Sequence, residues 1–147
     1  MIDTRPGGGF RQALGTLIID TPGQGLHEFT AATVDWVRDQ AITDGLLTLF
    51  CRHTSASLLI QENAAPAVQR DLQRWIARLA PEDDNYEHDD EGPDDMPAHL
   101  RATLTGIQLS IPVAARRPML GTWQGIYLFE HRHRPHRREV ALHLIGQ

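Results

Sequence analysis

The sequence contains no lysine, because all 14 of its Lys and Arg residues are arginine. Without an ε-amine the chain has no Schiff-base chemistry, no anchor for pyridoxal phosphate and no Walker-type phosphate loop. An anionic ligand would have to be held by arginine, hydroxyl groups or backbone amides. Cysteine is also scarce: Cys51 is the only one, which excludes a disulfide within the chain.

Other absences narrow the class of protein. No apolar run approaches the length of a membrane span, and the first residues lack the apolar core of a signal peptide, so we expect a cytoplasmic protein with no membrane partner. A net charge of −5 argues against broad nucleic-acid binding. The 147 residues, 41% of them hydrophobic, predict a single domain over residues 1–147, with a flexible arm over residues 1–9.

The apolar pattern predicts an α+β fold with a mainly antiparallel sheet, two longer helices and one short helix. Helices are expected over residues 28–41, 63–80 and 97–104, the second of them capped by Asn63. Strands are expected over residues 13–20, 46–51, 57–61, 107–113, 122–130 and 139–145. Turns are expected at residues 21–25, 116–118 and 133–138.

Polar side chains interrupt the apolar pattern at residues 51–57. His53 is a candidate base or metal ligand, and Thr54 and Ser55 are candidates for binding an anion through hydroxyl and backbone N–H groups. The alternative is a buried Cys51 followed by a turn whose hydroxyls satisfy their own backbone. The pattern alone favours this alternative, since Cys-x-His lacks the four ligands of a structural zinc site.

Nine of the 19 carboxylates fall between residues 82 and 95, which indicates a long exposed loop. This acidic loop lacks the residue alternation of an EF-hand calcium loop. His88 lies within it and His99 follows it, and an imidazole beside carboxylates either has its charged form favoured or binds a divalent ion. Acid/base chemistry, a metal site and plain solvation all remain open here.

Residues 122–130 carry large apolar groups at both even and odd positions, as a strand covered on both faces does. Glu130 then shares a face with Ile126 and Leu128, where a carboxylate needs either a partner or a raised pKa. Glu130 is therefore a candidate general acid or base, with a solvated strand end as the alternative. The turn rich in Arg and His at residues 131–138 is more typical of a surface hairpin, or of a partner for the acidic loop, than of a nucleic-acid site.

In their order along the chain, these motifs make the sequence similar to the YjbQ family, also called UPF0047, whose members are described as secondary thiamine-phosphate synthases. The resemblance covers about residues 25–146 and is carried by the segments GLH (25–27), HTSASL (53–58), EN (62–63), YEH (86–88), DMPAH (95–99), IPV (111–113), GTWQGIY (121–127) and EHR (130–132). It implies a homotrimer whose antiparallel sheets pack around a threefold axis. It also implies a transferase that joins hydroxymethylpyrimidine diphosphate to thiazole phosphate with release of pyrophosphate. A metabolite- or metal-binding trimer without turnover is the alternative.

The resemblance also assigns site residues. Catalytic roles fall on Glu130, His53 and His99, and a divalent ion, Mg or Zn, would be held by His53, His88 and His99. Groups that bind substrate or phosphate would be Thr54, Ser55, Asn63, Thr122, Gln124 and Arg132. The sequence departs from the family at two positions: Ala65 stands where Asp is common before Pro66, and Arg116 where a turn glycine is common.

Overall fold

The structure, a computed structural model, describes residues 9–147, so the arm predicted over residues 1–9 lies outside the described residues except for Gly9. Within the described residues there are eight strands, β1 (Arg11–Thr21), β2 (Gly25–Glu28), β3 (Gly45–Cys51), β4 (Ala56–Glu62), β5 (Gln108–Ala114), β6 (Arg117–Pro118), β7 (Gln124–Glu130) and β8 (His136–Gly146). The same residues form three helices, α1 (Thr30–Asp39), α2 (Pro66–Leu79) and α3 (Asp95–Thr105). None of the helices within residues 9–147 combines the length and apolar character that crossing a membrane would require.

The strands form two antiparallel sheets, which confirms the predicted α+β class. One sheet has the order β1-β8-β3-β5-β6 and the other the order β2-β7-β4. The predicted strands agree with the observed ones to within three residues at each end. The sequence prediction missed β2, which was assigned to a turn and a helix start. This strand has only four residues, and its structure comes from pairing with β7 between Gly25↔Glu130 and Glu28↔Tyr127 rather than from its own apolar pattern.

The turn predicted near Arg116 is a hairpin between β5 and the short strand β6. Ala115 and Arg116 lie at its tip with positive φ angles of 50° and 63°. Two such residues are typical of the hairpin turn that matches the twist of its strands, and glycine or asparagine usually occupies them. Here the Arg116 guanidinium donates two hydrogen bonds to the Arg38 carbonyl at the end of α1, which ties the turn to that helix.

The prediction that Asn63 caps α2 was wrong. The residue at the N-cap position is Ala65, which has no side-chain acceptor, and Asn63 instead donates to the Glu28 carboxylate at 3.3 Å. A capping residue must supply an oxygen to the first free N–H groups of a helix. The Asp that is common in the family at position 65 has such an oxygen, and Ala65 does not. The Glu62 carboxylate accepts the Ala65 N–H at 3.0 Å, so a neighbouring side chain supplies the oxygen that Ala65 lacks.

Strand β7 is covered on both faces, as its sequence predicted. Its even-numbered residues Ile126 and Leu128 belong to the core between the two sheets, together with Leu47 and Leu142. The odd-numbered residues face the helices, where the Tyr127 hydroxyl accepts a hydrogen bond from Gln69 of α2. The molecule therefore has a five-stranded layer, a three-stranded layer and a layer that contains α2 and α3.

The outer face of the five-stranded sheet remains apolar and open. It carries a row of half-exposed or exposed apolar side chains on β1, β3 and β8, namely Leu14, Ile18, Leu46, Phe50 and Ile145. Leu46 lies directly opposite Ile145 in the β3–β8 pairing, and His143, Thr48 and Glu139 lie on the same face among the other apolar side chains. An exposed apolar face of this kind marks an interaction surface.

Candidate functional site

The acidic loop and the start of α3 bring four metal-ligating residues together. Asp95 and His99 are one helical turn apart on α3, and the loop folds back so that His88 and Glu91 face them. Ligand atoms of all four residues lie within 4.8 Å of one another. The Nε2 atoms of His88 and His99 both approach the same Asp95 oxygen, at 2.8 and 3.0 Å. We call these four residues the His–Asp cluster.

Arg132 orients the carboxylate at the centre of the His–Asp cluster. Its Nη1 donates to Asp95, its Nε to Asp94 at 3.1 Å and its Nη2 to the Glu91 carbonyl at 2.9 Å. Burial works to raise the pKa of Asp95, but the hydrogen bond from His88 and the charges of His99 and Arg132 outweigh it and hold the pKa below its usual value. Asp95 is therefore an anion. Each guanidinium nitrogen of Arg132 donates one hydrogen bond to the acidic loop or to Asp95, so the side chain positions Asp95.

The tautomer of His99 follows from its partners. Its Nδ1 lies 2.9 Å from the Thr54 carbonyl, which can only accept, so Nδ1 carries a proton. Its Nε2 then turns either a lone pair or a second proton toward Asp95. A lone pair facing a carboxylate is repulsive unless a cation lies between them, and ligating histidines characteristically donate from their other nitrogen to a carbonyl in this way. The His88 hydrogen bond to Asp95 raises the pKa of that imidazole, so either protons or a metal ion would satisfy the cluster.

His53 does not join the His–Asp cluster. Its Nε2 accepts the Glu139 N–H at 2.7 Å, so that nitrogen is not available as a ligand. Burial and the charge of Arg138 lower the pKa of His53, which keeps the imidazole neutral. His53 does share a cavity of about 420 Å³ with Thr54, His99 and Thr103. The structure thus brings His53 close to one of the predicted ligands without making it one.

Glu130 lies in a closed ion pair. Arg138 donates to both of its carboxylate oxygens at 2.6 and 2.5 Å, Thr21 donates at 2.8 Å, and the Arg132 N–H donates at 3.0 Å. Burial raises the pKa of Glu130, but these hydrogen bonds, above all those from Arg138, leave the pKa below its usual value. A carboxylate on this apolar face was expected to have either a partner or a raised pKa, and Arg138 is the partner of Glu130. Glu130 is 1% exposed and carries a fixed charge, which does not fit a proton-transferring group.

The predicted phosphate ligands lie at two ends of one strand. Thr54 and Ser55 precede β4, beside its pairing of Ala56 with Glu130, and Ser55 is engaged by Arg138 at 2.9 Å. The other end of the same pairing, Glu62 with Gln124, lies six residues further, about 20 Å away. Asn63, Thr122 and Gln124 are at that far end, whereas Arg132 follows Glu130 at the near end. A single chain does not gather them around one phosphate.

Two features of the site were missed by the sequence analysis. Glu91 was counted among solvated carboxylates, although it contributes to the His–Asp cluster. Arg138 was assigned to a surface turn, but it is the first buried residue of β8 and pairs with Glu130. The spacing Asp95-x-x-x-His99 was a usable signal, because residues four apart share a helix face. No signal in the sequence indicated how the loop folds back.

Comparison with known proteins agrees with this fold and identifies the family. The sequence profile of the family described as UPF0047 protein YjbQ-like matches residues 16–147. The chain belongs to the YjbQ-like UPF0047 family. It is 50% identical to the UPF0047 protein sll1880 of Synechocystis over 139 residues, 94% of this chain and 95% of that protein. It is 43% identical to the UPF0047 protein YjbQ of Escherichia coli O157:H7 over 128 residues, 86% and 93% of the two chains.

Solved structures show the same fold for members of this family. A YbjQ-like protein of unknown function from Sulfolobus solfataricus superposes with a TM-score of 0.88 at 21% identity, and the match covers 95% of this chain and all of that one. A conserved hypothetical protein from Thermus thermophilus superposes with a TM-score of 0.79 at 34% identity, over 88% and 98% of the two chains. The family and fold are thus established, and the activity is a matter of proposal.

Proposed function

We propose that the protein is a metal-dependent enzyme that acts on a phosphorylated small molecule. The observation that carries this proposal is the convergence of the His88 and His99 Nε2 atoms on one oxygen of Asp95, an arrangement that places several electron-pair donors around a single point. A structural role alone requires neither two imidazoles on one carboxylate oxygen nor a second carboxylate, Glu91, within reach.

The donor set fits a divalent ion and favours Zn²⁺ over Mg²⁺. Two imidazole nitrogens and two carboxylates are ligands that zinc accepts in four-coordinate sites, whereas Mg²⁺ prefers oxygen and water. His88, Glu91, Asp95 and His99 would hold the ion, and Arg132 and the Thr54 carbonyl would fix two of these ligands from behind. When bound, the ion would neutralise charge on a phosphate oxygen.

In its most specific form the proposal is the reaction that the family resemblance implies. Hydroxymethylpyrimidine diphosphate would be joined to thiazole phosphate, and pyrophosphate would leave. The cavity beside His99 supports a substrate site, because it has a volume of about 420 Å³ and is lined by Thr54 and Thr103 hydroxyls as well as by apolar groups. Thr54 would bind the substrate through its hydroxyl and backbone, and His53 would form the neutral wall of the cavity. Glu130 has no part in the proposed chemistry because its charge is already paired.

A homotrimer is part of the proposal. The exposed apolar side chains on the outer face of the five-stranded sheet support it, because around a threefold axis two neighbouring copies would cover this face. If Asn63, Thr122 and Gln124 serve the same phosphate as Thr54, the site must be assembled from two subunits, since one chain holds them at opposite ends of β4. Light scattering of the purified chain tests the oligomeric state. A cytoplasmic location and the absence of a nucleic-acid partner remain predictions from the sequence.

The test compares His99→Ala with His136→Ala, a histidine outside the family motifs. Metal content is measured by mass spectrometry after purification, and the formation of thiamine phosphate from the two phosphorylated precursors is assayed with Zn²⁺, Mn²⁺ or Mg²⁺. We expect wild type and His136→Ala to retain metal and activity and His99→Ala to lose both. Complementation of a strain that lacks its main thiamine-phosphate synthase provides the cellular readout.

A second function differs only in the absence of turnover. The ion pairs of Arg132 with Asp94 and Asp95 favour it, because they commit the positive charge of this guanidinium to carboxylates of the protein rather than to a phosphate. In that case the protein binds a metal ion or a small anionic metabolite without converting it. Metal bound by wild type and lost in His99→Ala, with no product formed by either, would decide for this binding function. Equal metal content and equal activity in all variants would contradict both functions.

A further inference from the structure

A second polar cavity lies on the other side of α3 and is separate from the proposed enzymatic site. It has a volume of about 210 Å³ between the end of α2, the start of β2 and the end of β7. Arg101 lines it, two residues beyond His99 on α3. Two residues correspond to roughly 200° of rotation around a helix, so the two side chains leave α3 in nearly opposite directions.

Arg101 is a buried cation without a carboxylate partner. It is 6% exposed, and within residues 9–147 no carboxylate oxygen lies within 4.0 Å of its guanidinium. Its Nε and Nη2 donate to the Ala80 carbonyl at the end of α2, at 3.2 and 2.8 Å, whereas its Nη1 donates to no group in the described part of the chain. Burial lowers the pKa of Arg101, and the negative charge of Glu82 offsets this effect only in part.

His131 is the second buried group in this cavity. It is 1% exposed, and its Nε2 lies 2.8 Å from the Ser57 hydroxyl. Its Nδ1 forms no hydrogen bond with any of residues 9–147. Among these residues the Gln147 amide oxygen is the only side-chain polar atom that is both closed to solvent and without a partner, so Nδ1 of His131 is accessible from the cavity. Burial and the charge of Arg101 lower the pKa of His131 to about 3, so the imidazole is neutral at physiological pH. A neutral ring holds one proton, on either Nδ1 or Nε2.

The hydroxyls behind His131 allow the tautomer that an anion would need. Thr105 can donate to the Ser57 oxygen at 2.6 Å, and Ser57 can then donate to Nε2 of His131. In that direction Nε2 is the acceptor and the proton is on Nδ1. Thr105 also lies 2.8 Å from the Arg101 carbonyl, and donation there leaves the opposite direction, with the proton on Nε2. The chain of hydroxyls thus supports both tautomers, and a bound ligand would select one of them.

We propose that this cavity binds a small oxyanion, a carboxylate or phosphate group that accepts one N–H from Arg101 and one from Nδ1 of His131. The two unpartnered nitrogens belong to residues more than nine-tenths buried that line the same cavity, and neither nitrogen is sealed from it, so both can donate to a ligand there. Charge-assisted N–H donation to an oxyanion is among the stronger hydrogen bonds in proteins.

The remainder of the ligand must be neutral or cationic. Glu82 also lines the cavity, where its carboxylate is held by the His133 ring at 2.5 Å and lies 3.5 Å from the Gln24 amide. A carboxylate at this position repels a second negative charge and accommodates a positive one. The cavity volume of about 210 Å³ limits the ligand to one small molecule. A diphosphate is therefore disfavoured, which separates this site from the substrate expected at the His–Asp cluster.

The test follows the His131 ring directly. The full-length chain is labelled with ¹⁵N in its histidines, treated with a chelator so that the His–Asp cluster holds no metal, and titrated with inorganic phosphate, acetate or chloride at neutral pH. We expect phosphate, acetate or both to give a saturable shift of the His131 ring nitrogens toward the Nδ1–H tautomer, and chloride to give none. The two oxyanions distinguish a phosphate ligand from a carboxylate ligand. A His131 spectrum unchanged by either oxyanion would overturn the proposal.

A matched pair of variants checks the role of Arg101. Arg101→Gln retains a donor for the Ala80 carbonyl but removes the buried charge, and Arg70→Gln removes an exposed arginine on α2 with the same change in net charge. We expect Arg101→Gln to weaken the binding of the effective oxyanion at least tenfold in calorimetry and Arg70→Gln to leave it unchanged. Equal binding by both variants would refute the assignment. If Arg101→Gln fails to fold, the wild-type titration of His131 decides alone. None of these outcomes depends on the metal or on enzymatic activity.

Discussion

Two clusters in this chain use the same chemical groups and differ in their access to solvent. Glu130 and Arg138 form a bidentate ion pair whose side chains are 0% and 4% exposed, and every polar atom of the carboxylate has a donor. In the His–Asp cluster, Asp95 is as deeply buried at 4%, but His88 is 42% and Glu91 63% exposed. A closed set of matched donors and acceptors stabilises the fold, whereas an open set with surplus electron pairs can bind.

The largest expected effect comes from breaking the closed pair. Arg138→Met leaves the Glu130 charge buried without a cation, and we expect the free energy of unfolding to fall by about 3–5 kcal/mol. Urea denaturation measures the loss. Arg137→Met, at the adjacent exposed position of β8, is the control and should change stability by less than about 0.5 kcal/mol.

A double variant shows whether the lost stability comes from the Glu130 charge that is left buried without a cation. Arg138→Met combined with Glu130→Gln removes that charge, so it should recover part of the stability that Arg138→Met loses. A loss below about 1 kcal/mol in the single variant would mean that Glu130 reaches water or takes a proton, and its role as a general acid or base would have to be reconsidered.

The comparison also shows how far the sequence could predict this molecule. The helices, the strands other than β2 and β6, and the two covered faces of β7 followed from apolar periodicity, because burial of a face imposes that pattern. Residue patterns could not place the partner of Glu130, since Arg138 comes from another strand and looks like its neighbours in an Arg- and His-rich turn. The role of Glu91 could not be predicted for a similar reason. It is one of nine carboxylates in the acidic loop, and only the fold of that loop brings it to the His–Asp cluster.

The pH dependence of stability has opposite signs for the histidines beside the two clusters, His131 and His88. Next to Glu130, folding depresses the pKa of His131 from 6.5 to about 3. Between these values the unfolded chain binds a proton that the folded chain does not, so stability falls as the pH decreases through this window. The same holds for Glu130 below its usual carboxyl pKa, because folding lowers that pKa as well. In the His–Asp cluster folding raises the pKa of His88, so its contribution is full below pH 6.5 and is lost as the pH rises through the raised value.

Denaturation in urea at a series of pH values separates the two contributions. We expect His131 to account for a loss on the order of 2 kcal/mol between about pH 7 and pH 5. His131→Gln should flatten the acid side of the profile, and His88→Asn the alkaline side. A wild-type acid slope that survives unchanged in His131→Gln would show that His131 is protonated in the folded protein.

Within the open cluster, a smaller effect is expected from the residue that positions Asp95. Arg132→Gln removes the donors behind this carboxylate, and such outer partners typically contribute a factor of about 10 to metal affinity. Competitive zinc titration with a chromophoric chelator measures the change. Arg134→Gln, an exposed position in the same turn, is the control. Zinc affinity equal to that of wild type would mean that Asp95 needs no positioning or is not a ligand.

The smallest effect is expected where the same charges face water. Glu139 follows Arg138 on β8 and forms an ion pair with Arg52 at 2.9 Å, with side chains 58% exposed for Arg52 and 43% for Glu139. Solvent screens such a pair, so Arg52→Ala should cost less than about 1 kcal/mol in urea denaturation. A double-mutant cycle with Glu139→Ala isolates the pair from other contacts. A coupling energy above about 2 kcal/mol would show that burial does not separate the two classes of ion pair, because adjacent residues of one strand would then contribute alike.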